Sequence, residues 1–168
     1  MPHIDPIAQP ADEREIEAFK AWAKYPVPDD YLAFLRKYNG GYLAGVRPGF
    51  YNKDNHRLAS ITTFMHISEV VDKCINKIFE KNFSFYTVKF ETGNIQDDYF
   101  APDHYIKIAD GAEHEHVVIN LKTGHVIGFT DDNREIETAE EFLEECSFLA
   151  DNFDSFFSQI ADDLPDWV

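Results

Sequence analysis

The sequence has few cysteines, no long apolar run and few basic residues. Its two cysteines, Cys74 and Cys146, lie far apart among apolar residues at helical spacing, so we expect two buried, reduced thiols. No apolar run approaches the length of a membrane span, and residues 1–6 lack the basic and apolar regions of a signal peptide. The expectation is therefore a soluble cytoplasmic protein.

The commonest catalytic signatures are also absent. The sequence has no Gly-x-Ser-x-Gly nucleophile elbow, no phosphate loop ending in Gly-Lys-Ser/Thr and no Cys-x-x-Cys pair. Asp-Asp pairs occur at 29–30, 97–98, 131–132 and 162–163. Because adjacent side chains usually point apart, these pairs favour helix caps and solvated loops over general acid–base catalysis. We therefore predict a protein that is not an enzyme and that holds no cofactor.

Acidic residues outnumber basic ones, 31 against 15, which gives a formal net charge of -16. This balance disfavours direct binding to nucleic acid or to anionic membranes and favours a basic partner, although an acidic surface also keeps a protein in solution. Residues 131–168 contain thirteen acidic residues and one arginine, a net charge of -12. That region either steers a cationic partner or is a solvated helix face.

Helical patterns are present at both ends of the chain. A first helix is predicted over residues 11–24, and a second lies within 26–41, where Asp29 and Asp30 suit the first turn and Asn39-Gly40-Gly41 suits a left-handed closure. In the second helix an apolar stripe is predicted to face the core, formed by Tyr31, Leu32, Leu35 and Tyr38. A capping-box spacing at Thr138 begins a C-terminal helical region that restarts at Asn152.

The middle of the chain is richer in strand patterns. Strands are predicted over 58–65, 83–90, 104–109, 117–121 and 126–130, and a short turn makes the last two an antiparallel hairpin. Ser68 is predicted to cap a helix whose apolar face contains Val71, Cys74, Ile75 and Ile78. Residues 94–103 are predicted to form an acidic loop.

Together these elements predict an α+β fold, with a mostly antiparallel sheet, helices packed on one face and helices at both ends of the chain. The length suits a single domain over residues 1–168. The proline-rich residues 1–10 are predicted to be a loose N-terminal arm.

A histidine cluster is the pattern nearest to a metal centre. His114-Glu115-His116 follows Asp110, and His104 and His125 lie on neighbouring predicted strands. Alternating histidines on a strand can present two imidazoles to one ion. Because the pattern fixes neither a third ligand nor a general base, we interpret the tripeptide as a polar turn and predict no metal site.

Residues 27–41, Val-Pro-Asp-Asp-Tyr-Leu-Ala-Phe-Leu-Arg-Lys-Tyr-Asn-Gly-Gly, resemble the signature of the SUKH superfamily. This superfamily includes the fungal cell-wall-assembly regulator and many bacterial immunity proteins. Residues 106–126 resemble its central strand and following hairpin, and residues 149–157 resemble its last helix. The resemblance therefore extends over most of the chain.

The resemblance implies an α+β fold and a binding function. Bacterial members are thought to neutralise cognate toxins, often nucleases, by covering them, and a basic toxin suits the acidic balance of this chain. The expected contacts are Asp97, Asp98 and Tyr99 in the acidic loop, Glu113 and Glu115 at the turn, and Asp131 and Asp132 after the hairpin. The alternatives are a regulatory adaptor and a metal-dependent hydrolase around His104, Asp110, His114 and His116.

Overall fold

The protein is described by a computed structural model over residues 1–52, 57–112, 114–131 and 135–164, with the side chains of residues 57 and 58 left out. The α-helices are α1 (Glu13–Trp22), α2 (Asp29–Lys37), α3 (Val88–Tyr99), α4 (Ala139–Glu145) and α5 (Phe153–Ser158). The strands are β1 (Ile4–Asp5), β2 (Gly41–Leu43), β3 (Gly49–Asn52), β4 (Arg57–Ser60), β5 (Thr63–Phe64), β6 (Tyr105–Asp110), β7 (Glu115–Asn120), β8 (Val126–Thr130), β9 (Ser147–Ala150) and β10 (Ile160–Ala161). Two 3-10 segments, Val71–Lys73 and Glu80–Tyr86, precede α3.

The strands form two sheets. The larger has the order β1-β2-β5-β6-β7-β8-β9 and the smaller has the order β10-β3-β4, and all the paired strands of the described residues are antiparallel. The predicted hairpin is present, with Val118 opposite Ile127. The α+β class and the antiparallel sheet are therefore confirmed.

The main core lies between the large sheet and helices α1, α2 and α5. Residues that fill it from the helices include Ile16, Leu35 and Phe156, none of which is exposed to solvent. A second apolar cluster lies on the other side of the sheet, where α3 and α4 cover it. The sequence predicts helices on one face of the sheet, and α3 and α4 also cover part of the opposite face.

The signature helix forms as predicted, as α2 preceded by Pro28. Its C-terminal end is closed by left-handed Asn39 (φ 49°) and Gly40 (φ 82°). Of the predicted stripe, Tyr31, Leu32 and Leu35 are buried and Tyr38 is half-buried against the core, and Phe34, which the stripe did not include, is buried with them. The helix thus supplies the aromatic centre of the main core.

Residues 68–103 differ most from prediction. The predicted strand over 83–90 and acidic loop over 94–103 are wrong, because Thr87 caps α3 through a 3.1 Å hydrogen bond from the Phe90 amide. Val88, Thr92 and Ile95 then form a buried stripe at helical spacing. The helix predicted after Ser68 is wrong too: only the 3-10 segment Val71–Lys73 forms there, Val71, Ile75 and Ile78 are exposed, and the Ser68 hydroxyl donates to Glu15 Oε1 at 2.6 Å.

Three other expectations need correction. The predicted strand over 58–65 is two strands, β4 and β5, which belong to different sheets. Asn152 does restart the C-terminal helix, as α5, but β9 lies between α4 and α5. Residues 1–10 are not a loose arm, because β1 joins the large sheet and Ile7 and Ala8 are fully buried.

Candidate functional site

The face of the sheet beneath α3 and α4 carries both the second apolar cluster and a network of charged side chains. The buried cluster comprises Ile95, Ala101, Tyr105, Val118, Phe129, Ile136 and Phe142. The register of β6 against β7 shifts between Lys107 and Ala109, which indicates a β-bulge. As a result Lys107 and Asp110 lie on the same face of the sheet and can pair.

Lys107 forms the first part of this network. It is only 3% exposed, and its Nζ lies 2.5 Å from Glu91 Oε2 of α3 and 2.7 Å from Asp110 Oδ1. Its backbone amide also donates to the Thr92 hydroxyl at 2.9 Å. Because a buried ammonium is costly without partners, these contacts fix α3 against β6.

His116 forms the second part, between two carboxylates. Its Nδ1 lies 3.6 Å from Asp110 Oδ1 and its Nε2 lies 3.4 Å from Asp131 Oδ2, while its ring stacks on Phe129 at 4.6 Å. The Tyr99 hydroxyl donates to Asp131 Oδ2, and His114 Nδ1 lies 3.0 Å from Asp131 Oδ1. The end of α3 and the end of β8 are therefore tied together through one carboxylate.

The environment favours ionised carboxylates in this network. Burial alone would raise the pKa of Asp131, but the Tyr99 hydroxyl and His116 hold it below its usual value. Burial likewise opposes a low pKa at Asp110, and His116 and Lys107 outweigh it. Burial and the Asp131 carboxylate both raise the pKa of Tyr99. The network is thus an internal ion cluster that holds α3 and β8 in place.

The predicted contact residues fall into three groups. Asp97 and Asp98 are exposed on the last turn of α3, not in a loop, and Tyr99 and Asp131 meet directly behind them. Glu115 points to the opposite face, where its Oε1 accepts a 3.2 Å hydrogen bond from the Ser60 amide. Glu113 and Asp132 lie outside the described residues.

The residues of the metal alternative are only partly brought together: His114 and His116 both lie near Asp131, and His116 lies near Asp110, but His104 is remote from them. His104 precedes β6 and Asp110 ends it, so about 20 Å of extended strand separates them. His125 lies at the His104 end, where its ring contacts Phe148. Among the described residues no group of three His, Cys, Asp or Glu side chains is placed to hold a metal ion.

The two cysteines are free thiols, as predicted, but each is half-buried, not fully buried. Burial raises the pKa of Cys146 to about 12, with a smaller effect from Glu145. Burial also raises the pKa of Cys74. Neither thiol is activated as a nucleophile, because a raised pKa keeps the thiol protonated at neutral pH.

We use the term acidic face for the surface formed by the end of α3, the segment before α4 and α4 itself. Its exposed carboxylates are Asp97, Asp98, Glu135, Glu137, Glu140 and Glu144. The two helices lie on the same side of the sheet because Ile95 of α3 and Phe142 of α4 share the second apolar cluster. Charges that are about 40 residues apart in the chain thereby lie on the same side of the large sheet.

Sequence reasoning missed a second surface, the segment of residues 70–90. Its exposed apolar side chains are Val70, Val71, Ile75, Ile78, Phe85 and Phe90. A groove of about 430 Å³ between α1 and this segment is lined by apolar residues such as Trp22 and Ile67, and Lys73 closes one side by pairing with Asp12 at 3.1 Å. The sequence did not reveal this exposure, because these apolar residues also fit the buried faces of the predicted helix and strand.

Comparison with known families decides the classification. The sequence model of the SMI1 / KNR4 family (SUKH-1) matches residues 10–159. The chain belongs to this family. The resemblance found in the α2 signature is confirmed, and membership supports an immunity or regulatory protein of a generally non-catalytic kind. A comparison with curated proteins finds no match.

One further property of this SUKH-1 chain concerns membranes. Among its described helices, none has the length and apolar character needed to cross a bilayer.

Proposed function

We propose that this SUKH-1 chain is a non-catalytic immunity protein of the cytoplasm, a single domain that binds and neutralises a cognate bacterial toxin. The proposed partner is a basic toxin domain, and nucleases fit best because phosphate-binding proteins carry basic surfaces. The proposed contacts are Asp97 and Asp98, supported from behind by Tyr99 and Asp131. Glu113 and Asp132, which lie nearby in the sequence, remain proposed contacts, and Glu115 is left out because it faces the other side of the sheet.

The observation that carries this proposal is the acidic face. Asp97 and Asp98 occupy the last turn of α3, which contains no basic residue. Carboxylates at that end interact unfavourably with the helix dipole, and each destabilises the helix by about 0.3–1 kcal/mol. Their placement is unfavourable for the fold, and a cationic partner would offset it.

The test is the association rate with the cognate toxin domain, which is to be sought among the products of neighbouring genes and by pull-down from the native host. Reversing Asp97 and Asp98 to Lys should slow association at low salt by about tenfold, because like charges then meet at the docking surface. Asp131 is kept, since it pairs with Tyr99 and His116 and its reversal would disrupt the fold.

A matched control separates this face from overall charge. Asp72→Lys with Glu80→Lys changes the net charge equally, at exposed positions of the segment of residues 70–90. We expect that pair to change the rate less than about threefold. Equal slowing by both pairs would contradict the acidic face as the docking site. Failure of the unaltered chain to bind the toxin or to protect cells that express it would contradict the proposed function.

A regulatory adaptor is the second candidate, and the exposed apolar segment of residues 70–90 favours it. A surface with that many apolar side chains is typical of protein contacts. The protection experiment distinguishes the two candidates, because an adaptor would leave toxin-expressing cells unprotected.

A further inference from the structure

The end of α3 combines features that are locally unfavourable. Asp97 and Asp98 carry negative charge at the negative end of the helix dipole. Phe100, the next residue after the helix, adopts a left-handed conformation with φ 57° and ψ 28°, in which the Cβ of an L-residue crowds the backbone. Proteins keep such local conflicts mainly at functional positions.

Hydrogen bonds within the chain account for the left-handed backbone at residue 100, but they do not require a phenylalanine side chain there. The amides of Phe100 and Ala101 both donate to the Ile95 carbonyl, the latter at 3.1 Å, which closes the helix and sends Ala101 into the buried cluster. Glycine or asparagine is the usual residue at such a position. Phe100 is instead 48% exposed as a residue, and its ring makes no ring-to-ring contact with the described residues.

We propose that Phe100 is the apolar anchor of the acidic face and inserts into an apolar pocket on the basic partner protein. This inference rests on the proposed function and assigns the contact that provides most of the affinity. Interfaces commonly place an aromatic anchor at a desolvated centre and charges around it. Asp97 and Asp98 lie within one helical turn of Phe100 and provide that charge. The partner's pocket should therefore be bordered by lysine or arginine.

The test measures binding and stability on the same variant, because the proposal predicts weaker binding without a loss of stability. Phe100→Gly should raise the dissociation constant for the cognate toxin domain at least about tenfold, chiefly through faster dissociation. Its urea unfolding midpoint should equal or exceed that of the unaltered chain, because glycine suits the left-handed position. Calorimetric titration gives the first quantity and circular dichroism gives the second.

Two variants serve as controls. Phe85→Ala removes an equally exposed ring, 49% exposed, outside the acidic face, and should leave the dissociation constant within about twofold. Phe100→Leu keeps an apolar side chain at the anchor position and should recover most of the affinity.

The outcomes separate this inference from the proposed function. Binding by Phe100→Gly with unchanged affinity would overturn the anchor while leaving the immunity function intact. A large loss of stability in both Phe100→Gly and Phe100→Asn, which also suits the left-handed conformation, would show that the ring is structural and overturn the anchor. Absence of binding by the unaltered chain would overturn both.

Discussion

Among the described residues, three other than glycine adopt a positive φ, namely Asn39, Phe100 and His114. The side-chain amide of Asn39 donates to the Gln9 carbonyl and the Ser68 hydroxyl, each at 2.8 Å. These buried hydrogen bonds offset the cost of the left-handed backbone. His114 pairs with Asp131. The Phe100 amide is hydrogen-bonded to the Ile95 carbonyl, but its exposed ring contacts no other ring of the described residues, and we therefore assign the side chain to contact with a partner.

At the residue scale, His66 should make stability depend on pH. It is fully buried, its Nε2 donates to the Phe83 carbonyl at 2.8 Å, and burial lowers its pKa to about 4. Between the unfolded pKa near 6.5 and about 4, the unfolded chain binds a proton that the folded chain does not, so stability falls as the pH falls. We expect this residue to contribute about 2 kcal/mol of the loss between pH 7 and pH 4.5, measured by urea unfolding.

The control for this prediction is a comparison of variants. His66→Gln, whose amide can reach the Phe83 carbonyl, should be less stable at pH 7 but should lose less stability on acidification. His3→Gln changes an exposed histidine, 71% exposed in its side chain, and should follow the unaltered chain. Parallel pH curves for His66→Gln and the unaltered chain would refute the role of His66.

At the element scale, two glycines predict opposite effects of the same substitution. Gly40 closes α2 with φ +82°, and a Cβ added to it would lie 2.9 Å from the backbone of residues 64–66. Gly40→Ala should therefore lower the free energy of unfolding by at least about 2 kcal/mol. Gly93 lies inside α3 with nothing within 4 Å of its added Cβ, and Gly93→Ala should raise it by about 1 kcal/mol. Thermal unfolding measures both, and changes of the same sign would contradict this account.

Elements whose two ends are marked by capping or turn residues could be predicted from sequence. The ends of α2 are marked by Pro28 and by Asn39-Gly40, and the β7–β8 hairpin has a turn between two runs of β-branched residues. Residues 68–90 could not be predicted, because their apolar residues fit several periodicities and tertiary contacts decide between them. His66 illustrates this: its backbone amide and carbonyl pair with Tyr86 and Val88, a contact between positions about 20 residues apart that local periodicity does not reveal.

At the scale of the whole molecule, the candidate site was predicted only in part. Acidic patterns marked Asp97, Asp98 and Asp131, but their proximity depends on α3 crossing the sheet and on the Tyr99 hydroxyl reaching Asp131. The bulge that turns Asp110 toward Lys107 leaves no mark in the residue pattern. Contacts of this kind join positions far apart in the chain, so composition and periodicity do not reveal them.

The net charge of -16 predicts that low salt destabilises the whole molecule. Raising sodium chloride from about 0.01 M to about 0.1 M shortens the screening length from about 30 Å to about 10 Å, which weakens repulsion across the folded surface. The melting temperature should rise by several degrees, about 3–6 °C, over this range. Asp97→Asn with Asp98→Asn removes two charges from the unfavourable end of α3, so this variant should melt higher at low salt and respond less to added salt. Two results would contradict this account: a melting temperature that falls with salt, or a double variant that melts lower than the unaltered chain at low salt. Either would show that contacts within the chain stabilise the acidic face, so that it needs no cationic partner.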